Sequence, residues 1–544
     1  MNLFAIPPAA PFLETLAAGL LARLPSDDPE SLARATLLLP TRRAARGLRE
    51  AFLRAAGGRA LLLPRMRALA GLSTEEADEL ALPDLLDLPP AVAPLTRQAV
   101  LASMAQRIPR RHGGPSTPEQ AWLLAGELAR LFDEIALEER DLDMLEHAAA
   151  EDFAEAWLAR LDGLVPDRHA AHWQITTAVL RAAAQDWTRW LTERGLLDIG
   201  VRRVKALAAQ AAAWRNAPPG HPTIAAGIGA GGTIPAAAEL LRVLAAAPKG
   251  AVVLQGLPEP MGAALWEAVR LAPTHPLAGQ ARLLAAMGAA PGDLRPWHEP
   301  APAGAPPDRS VLLGRALHPA EGLPSWTDRD RPRWEAALAG VTRLVAADAQ
   351  QEAAAIALLL RESIETPGER AALITPDRDL ARRVSAELAR HGITADDSAG
   401  EPLAETPAAA FLRLVGRMVA EGFAPVPLLA VLKHPLCAGG MDRTDWVVAT
   451  RQLERAALRG SRPAAGLAGL RASVAVVKGD ALAPVAALLD ALELALDGFA
   501  ELPDAPARPP ADLLRAHMEA AEALAATPEM PGGLRLYAGE EGEP

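Results

Sequence analysis

The stretch LLLPTRRAARGLREAF, residues 37–52, predicts the fold class of this chain. Its three leucines are typical of a buried strand, Pro40 and Thr41 end that strand, and an arginine-rich helix follows. A strand that leads through a short loop into a helix is the repeating unit of a parallel sheet with crossover helices. Such sheets bind ligands where their strands end, and a helix N-terminus attracts phosphate. We therefore expect an α/β fold with an anion site at this edge.

An excess of arginine around this stretch is the strongest indication of a partner. Residues 41–68 contain eight arginines and one acid, Glu50, whereas the whole chain of 544 residues has a formal net charge of −12. That balance excludes general adhesion to nucleic acid, so any such binding requires a focused patch. The alternative is a solvated helix face whose guanidinium groups lie over apolar surface.

Two arginine pairs are expected to share one edge of the sheet. Arg42 and Arg43 follow the strand of the opening stretch. Arg65 and Arg67 follow a strand predicted at residues 60–63. Neighbouring parallel strands would bring both pairs to one rim, where they can bind the backbone of single-stranded nucleic acid. The candidate binding residues from this part of the chain are Thr41, Arg42, Arg43, Arg46, Arg65 and Arg67.

The pattern of strands and helices divides the chain into two α/β regions joined by a Pro/Gly-rich linker at residues 297–341. The length of the chain suits two to four domains. Residues 1–296 form the first predicted domain, which is interrupted by a largely helical insertion at about residues 92–215. Besides the strands already mentioned, this domain has predicted strands at residues 3–6, 36–39, 223–226 and 251–254.

Residues 342–544 form the second predicted α/β domain, which carries a helical insertion from about residue 406. The last residues favour a strand at 534–537, which is an unusual place for a domain to finish. We therefore expect the chain to be truncated at its C-terminus. Strands of this domain are predicted at residues 342–346, 371–375 and 393–395, with helices between them at residues 351–364 and 379–390.

A glycine-rich loop at residues 227–232 has the form G-x-G-x-x-G, follows a predicted strand and precedes a helix with Pro235 in its first turn. Dinucleotide binding would also require an acid at the end of the next strand, where Gln255 and Gly256 stand. A working Walker A loop is excluded because Thr233 occupies the position of its lysine. Nucleotide binding is the alternative to the preferred interpretation, a tight turn formed by Gly227, Gly229 and Gly232.

The remaining titratable residues predict neither catalysis nor a metal site. Asp133 and Glu134 resemble the acidic pair of a Walker B motif, but they lie on an amphipathic helix and are expected on its solvated face. His169 and His172 share a helix face without a third ligand. The single cysteine, Cys437, excludes an internal disulfide and any Cys-ligated cluster within these residues.

No segment of the sequence predicts export or a membrane span. The N-terminal residues lack a basic region before their short apolar run, so they do not form a signal peptide. No uncharged run reaches the roughly 18 apolar residues that a transmembrane helix needs. Together with the single cysteine, these features indicate a protein of the reducing cytoplasm.

Several segments resemble a known family. TLLLPTRRAARGLREAF, at residues 36–52, resembles motif Ia of superfamily 1 helicases, and AALITPDRDLARRV, at residues 371–384, resembles their motif IV region. TIAAGIGAGG, at residues 223–232, lies where those helicases carry motif III. AEGFAPVPLLAVLKHPL, at residues 420–436, is similar to the AddB family of the alphaproteobacterial type. Members of that family are partner subunits of the AddAB double-strand-break repair helicase–nucleases.

The resemblance implies two superfamily 1 helicase-like (RecA-like) α/β domains, each a parallel sheet with a large helical insertion, whose helicase machinery is inactive. It implies contact with double-stranded DNA, guidance of the single strand ending 3′, and recognition of a Chi-type recombination hotspot. The expected partner is the helicase–nuclease subunit AddA, in a cytoplasmic heterodimer that serves recombinational repair. The DNA-contact residues that the resemblance implies are Thr41, Arg42, Arg43, Arg65, Arg67, Thr233, Thr375 and Arg378.

No catalytic residue, metal ligand or cofactor site is expected within this chain. In the family, an exonuclease domain with an iron–sulfur cluster and Mg²⁺ forms a C-terminal half, which we expect to be missing here. The chain departs from members that keep a Walker A loop, because Pro7 and Pro8 follow its first strand. This departure favours a subunit that relies on its partner for ATP hydrolysis. Two alternatives remain: a nucleotide-binding enzyme that uses residues 227–232, and an assembly scaffold that binds no DNA.

Overall fold

The computed structural model divides the chain into two compact units, Met1–Val345 (unit 1) and Ala346–Pro544 (unit 2). His169, His172 and most of the predicted helical insertion beyond residue 139 lie outside the described residues. The structure describes residues 1–25, 28, 30–68, 88–108, 114–139, 180, 183–228, 234–257, 261–298, 306–322, 334–400, 402–476, 483–501 and 508–538.

Unit 1 contains a six-stranded sheet whose strands are all parallel, so the chain is an α/β protein. Its strands are β1 (Leu3–Ile6), β2 (Thr36–Leu39), β3 (Arg65–Ala68), β4 (Thr223–Ala226), β5 (Gly250–Gln255) and β6 (Arg295–Pro296). Across the sheet they lie in the order β3-β2-β4-β5-β1-β6. Four of the five strands predicted for this region are confirmed, and the exception is the strand next to β2.

The strand predicted at residues 60–63 is wrong, because β3 begins only at Arg65. Its pairing starts where the N–H of Arg65 donates to the carbonyl just before β2, at 3.0 Å. The preceding residue, Pro64, has no N–H to donate to a ladder. Leu61 and Leu63 pack instead against the core beneath the sheet. Their apolar pattern therefore reflects burial without strand pairing.

Helices cover the sheet on both sides. In unit 1 a further helical stretch runs over residues 183–192. The helices of this unit that have defined ends are α1 (Phe12–Arg23), α2 (Arg42–Ala56), α3 (Pro94–Ala105), α4 (Pro118–Leu137), α5 (Ile199–Asn216), α6 (Pro235–Ala246), α7 (Ala263–Leu271), α8 (Ala278–Ala286), α9 (Pro307–Ala316) and α10 (Trp334–Ala337).

Alternate residues of the strands point into two cores. Leu37 and Leu39 of β2 pack with α1 and α2, whereas Leu38 packs on the opposite face with α5, α6 and α8. This alternation follows from the period of two in a strand, and burial of both faces is typical of parallel sheets. The consequence for function is that α2 is held firmly against the sheet while its outer face stays exposed.

Part of the described helical insertion packs on itself, whereas α5 of the same insertion packs on the sheet. Leu101 of α3, Ala125 of α4 and Trp187 share one small core. Further along, Trp297 begins the segment that was predicted as a linker, and it is buried in the core of unit 1. Its indole N–H donates to the carbonyl of Leu16 in α1, at 3.2 Å. The described residues of the predicted linker thus start within unit 1 and include α9 and α10.

The second parallel sheet predicted in unit 2 is not formed among its described residues. Residues 342–346, 371–375 and 393–395 have no regular secondary structure, although each was predicted as a strand. The two helices between them are confirmed as α11 (Ala349–Glu365) and α12 (Arg378–Arg390), which pack against each other. A strand requires a hydrogen-bonded neighbour, and an alternating apolar pattern does not supply one.

The rest of unit 2 is a helical bundle around one large core. A strand predicted at residues 534–537 is wrong, because the last helix of the bundle covers this segment and buries Leu536 in the core. The helices of the bundle are α13 (Pro407–Ala420), α14 (Pro425–Leu432), α15 (Arg443–Leu453) with a π-helical turn at Glu454–Leu458, α16 (Gly466–Ala475), α17 (Ala483–Ala495), α18 (Pro510–Ala525) and α19 (Gly532–Leu536).

Candidate nucleic-acid interface

The first turn of α2 follows directly from the end of β2. Thr41 is the N-cap, and its Oγ1 accepts a hydrogen bond from the backbone N–H of Ala44 at 3.0 Å. Arg42 and Arg43 therefore occupy the first two positions of the helix, and both are exposed. This turn contains no acid, although the helix dipole favours acids there. Positive charge is thus concentrated where open α/β sheets bind their ligands.

Three arginines form a row along α2. Arg42, Arg46 and Arg49 are four and three residues apart, and this spacing places them on one face of the helix. The other face buries Leu48 and Phe52 in the core beneath the sheet. At 1.5 Å per residue the row extends about 10 Å along the helix axis. Arg49 was not among the candidate residues. Its position three residues after Arg46 in the predicted helix would have placed it on the same face.

A cavity of about 370 Å³ lies between this row and strand β3. Arg67 of β3 lines it together with the three arginines of α2. Among the described residues, no acid and no aromatic ring lines this cavity. We call it the α2–β3 arginine cavity, and its remaining lining residues are Ala45, Met66 and Ala68.

The acids that lie near α2 are neutralised by an arginine outside the cavity. Arg54 binds Glu14 at 2.6 Å and Glu50 at 3.6 Å. Arg46 and Arg49 form no ion pair within the ranges that the structure describes. The one acid of the arginine-rich stretch is therefore turned toward Arg54, and Arg46 and Arg49 keep their positive charge at the cavity.

The two arginines of strand β3 lie at different positions along the strand direction. Parallel pairing sets Arg65 opposite Thr36, at the start of β2, and Arg67 opposite Leu38, near its end. The expectation that Arg65 shares the carboxyl edge with Arg42 is therefore wrong, because the strand lies five residues later than predicted. Arg67 does reach the cavity, and its buried Nη1 atom has no hydrogen-bond partner in the described part of the chain.

The glycine-rich loop begins at the same edge of the sheet. Gly227 follows β4 with a φ of +68°, in the left-handed region that glycine favours. A Cβ at this position would lie 3.3 Å from the ring of Phe12 and 3.8 Å from Pro40. The tight turn is confirmed at Gly227, and the helix begins at Pro235 as predicted. The other loop residues that the sequence analysis considered, Gly229, Gly232 and Thr233, lie outside the described ranges.

The two candidate residues of unit 2 are occupied by neighbours within that unit. The hydroxyl of Thr375 accepts a hydrogen bond from the N–H of Asp377, at 3.0 Å. Arg378, the first residue of α12, binds Asp397 through its Nη1 at 3.1 Å and the carbonyl of Gly400 through its Nη2 at 3.0 Å. The hydrogen bond to Asp397 raises the pKa of Arg378. A phosphate at Arg378 would therefore have to displace a carboxylate.

Asp133 belongs to a partly buried ion-pair cluster, so the predicted solvated face is confirmed for the exposed Glu134 and only in part for Asp133, whose side chain is 36 % exposed. It binds Arg97 at 3.0 Å, and Arg97 also donates two hydrogen bonds of 3.0 Å to Asp198. Asp198 accepts two more, from the indole N–H of Trp187 at 2.8 Å and from the N–H of Gly200 at 3.0 Å. Burial raises the pKa of the Asp198 carboxyl, and Arg97 and Trp187 act in the opposite direction. The cluster joins α3, α4 and the start of α5.

Two histidines lie in turns, and the single cysteine is buried. His275 and His434 each accept a hydrogen bond at Nδ1 from a backbone N–H two residues ahead, as turn residues do. Burial raises the pKa of the Cys437 thiol, which keeps it protonated and unreactive. Over the described ranges, no group of three or more His, Cys, Asp or Glu side chains could hold a metal ion.

Comparisons with known proteins do not identify a family for this chain. No family model matches it, and a search of curated proteins finds no match. Among the helices that the structure describes, none is both long enough and apolar enough to span a membrane. The functional assignment therefore depends on the residues themselves, and above all on the α2–β3 arginine cavity.

Proposed function

We propose that this chain is a helicase-like subunit that binds single-stranded DNA through backbone phosphates at the α2–β3 arginine cavity. The observation that carries the proposal is the convergence of four arginines on one cavity, at the carboxyl edge of a parallel sheet. Because the chain as a whole is acidic, such a site attracts a polyanion locally while the remaining surface repels it.

The chemistry of the cavity suits phosphates better than bases. Guanidinium groups bind phosphate oxygens through paired hydrogen bonds, and the row on α2 is about 10 Å long. One strand of a duplex carries a phosphate every 3.4 Å, so the row can contact more than one phosphate. Base recognition by single-strand binders relies on aromatic stacking, and no described aromatic ring lines the cavity. Binding is therefore expected to be independent of base sequence at this site.

The chain is expected to hold and guide DNA without hydrolysing ATP. Thr233 stands where a Walker A lysine would bind the β- and γ-phosphates. The first strand, β1, leads into Pro7 and Pro8, and proline supplies no N–H groups for a phosphate-binding loop. Energy for strand movement would then come from a partner subunit.

The wider role that we propose follows from the resemblance to the AddB family. In this role the chain is a cytoplasmic subunit that pairs with AddA, contacts duplex and single-stranded DNA, and takes part in hotspot recognition during recombinational double-strand-break repair. Any iron–sulfur cluster and Mg²⁺ would belong to a nuclease domain outside this sequence. Thr375 and Arg378 would join the DNA path only if DNA displaces Asp397 from Arg378.

Binding of a labelled oligothymidine by the full chain tests this proposal. The test variant is Arg46→Gln/Arg49→Gln, which removes two arginines of the cavity. The matched control is Arg59→Gln/Arg282→Gln, which removes two exposed arginines of unit 1 that neither line the cavity nor form an ion pair within the described ranges. We expect the test variant to weaken binding about tenfold or more at low salt, because each phosphate contact is a charge-assisted hydrogen bond. The control should change the dissociation constant by much less.

Equal losses in the two double variants would overturn the proposal, since net charge alone would then explain binding. Undetectable DNA binding by the unaltered chain, together with binding of a helicase–nuclease subunit, would favour the scaffold alternative. Retention of NAD or ATP in equilibrium dialysis would favour a nucleotide-binding enzyme that uses residues 227–232.

A further inference from the structure

Helix α11 is apolar on more than one side. Ala353 and Ala357 are fully buried against α12. Leu358 and Leu359, which follow them in the sequence, are each 54 % exposed. A helix that is apolar all round is normally buried all round. Within the described part of unit 2, α11 thus presents a second apolar surface that no other element covers.

Residues 371–375 run beside α11 without regular secondary structure. Leu373 packs on the core between α11 and α12, whereas the next side chain, Ile374, is 94 % exposed. Among the described residues, no backbone N–H or C=O of this segment forms a hydrogen bond with another backbone group. A segment whose backbone N–H and C=O groups lack backbone partners is a template for pairing with a strand of another chain.

A cavity of about 390 Å³ lies between this segment and α11. Its apolar lining includes Ile356, Leu359 and Leu373. The only charged residues among the described lining are Glu362 and Glu369, and neither carboxylate forms an ion pair in the described part of the chain. The cavity therefore combines an apolar interior with an acidic rim.

We propose that this surface docks an extended segment of a partner protein that carries apolar and basic side chains on the same face. The backbone of the partner would pair with residues 371–375, because their N–H and C=O groups are unpaired. Its apolar side chains would enter the cavity, and its basic side chains would meet Glu362 and Glu369. The site is acidic and apolar, so it is distinct in chemistry from the arginine cavity and does not depend on DNA binding.

Charge also argues against a second copy of this chain as the occupant. Symmetric pairing of two copies through residues 371–375 would bring the glutamates of one rim toward those of the other. Like charges brought together at an interface disfavour association. A basic partner segment has the opposite effect, and this complementarity decides between the two occupants.

The probe for this surface is a fluorescein-labelled peptide of the repeat Val-Ser-Lys-Ser, which places valine and lysine on one face of a strand, titrated with the full chain. A peptide in which glutamate replaces the lysine is the control ligand. Glu362→Gln/Glu369→Gln removes the acidic rim, and both positions are exposed, so the fold is kept. We expect this variant to bind the lysine peptide roughly twofold to thirtyfold more weakly, the range for two rim ion pairs. Glu365→Gln is the matched control, because Glu365 binds Arg361 at 2.8 Å and does not line the cavity.

A second variant tests the backbone pairing. Ala372→Pro removes one N–H from the exposed segment, and proline tolerates an extended conformation. We expect it to weaken binding of the lysine peptide about fivefold to tenfold, and we expect the peptide to slow amide exchange at residues 371–375 in the unaltered chain. Equal affinity for the two peptides, no binding of either, or concentration-dependent dimerisation lost in Ala372→Pro would each overturn the proposal.

Discussion

Replacing Arg97 by alanine should loosen the helical insertion of unit 1 more than any surface change. The Arg97 and Asp198 side chains are each 6 % exposed, and two hydrogen bonds of 3.0 Å join them. In the variant, Asp198 would keep only the N–H groups of Trp187 and Gly200 as donors. The carboxylate would then be buried without a positive charge, and Asp133 would lose its ion pair as well.

The size of this effect follows from the burial of the pair. Removing one partner of a buried ion pair costs about 3–5 kcal/mol, because the remaining charge is desolvated and uncompensated. The pair with Asp133 adds little, since that side chain is 36 % exposed and solvent screens it. A local loss of this size should accelerate amide exchange in α3 and α5 by roughly two to four orders of magnitude where exchange reports local opening.

The pH dependence gives this prediction a second, independent readout. Burial already raises the pKa of the Asp198 carboxyl, and loss of Arg97 removes an influence that lowers it. The folded variant would therefore bind a proton at Asp198 more tightly than the unfolded chain does. Its stability should fall as pH rises from the unfolded value of about 3.9 through the raised pKa of the folded state.

Hydrogen-exchange mass spectrometry at about pH 5 and about pH 8 measures how the stability of the variant changes with pH, after correction for intrinsic exchange rates. The exchange difference between Arg97→Ala and the unaltered chain should be larger at the higher pH. Arg97→Met/Asp198→Asn should recover much of the protection, because it removes both charges and the asparagine oxygen can still accept from Trp187 or Gly200. A small effect that is the same at both pH values, or no recovery in the double variant, would refute the reasoning.

Two further changes test local features of the fold. Gly227→Ala should destabilise unit 1 by about 1–2 kcal/mol in urea unfolding, because its φ of +68° is strained for alanine and the ring of Phe12 is close. An unchanged midpoint would contradict the turn assignment. Hydrogen bonds from the N–H groups of Thr444 and Asp445 lower the pKa of Asp442, so unfolding midpoints of the unaltered chain should decline as pH falls through that lowered pKa. Asp442→Asn should show a smaller decline, because other carboxyls with a lowered pKa, such as Glu239, still contribute to it. An identical acid decline in both proteins would count against the prediction.

The strand–helix units of unit 1 could be predicted from the sequence because their signals are local. Leu37 to Leu39 are apolar on both faces, Thr41 is a good N-cap, and α2 carries its apolar residues at helical spacing. The same local rules predicted α11, α12 and the turn at Gly227. Each of these features depends on residues within a few positions of one another.

The predictions that were wrong or only partly confirmed depend on partners that are distant in the sequence. The start of β3 is set by where Pro64 allows pairing with β2, and the apolar run before it gives no sign of this. Residues 371–375 have the pattern of a strand, but no described neighbour pairs with them. The ion pair between Arg97 and Asp133 joins residues 36 positions apart on two helices. No pattern within a single element could have indicated it.

The candidate site, too, could be predicted only where its signals are local in the sequence. An arginine-rich edge was predictable from composition and from the position of the loop after β2. The sequence did not indicate that Arg54 would take up Glu14 and Glu50, nor that Arg49 and Arg67 would line one cavity with Arg46. Those relations come from the packing of α2 between α1 and β3.

The central claim, that the α2–β3 arginine cavity binds DNA phosphates, is tested most directly by the salt dependence of oligothymidine binding. Each phosphate contact on a single strand contributes about 0.7 to the slope of log K against log salt concentration. Removing Arg46 and Arg49 together should therefore reduce the magnitude of that slope by about 1.4, if each contacts one phosphate. The control without Arg59 and Arg282 should keep the slope of the unaltered chain. An unchanged slope in the variant without Arg46 and Arg49 would contradict the claim.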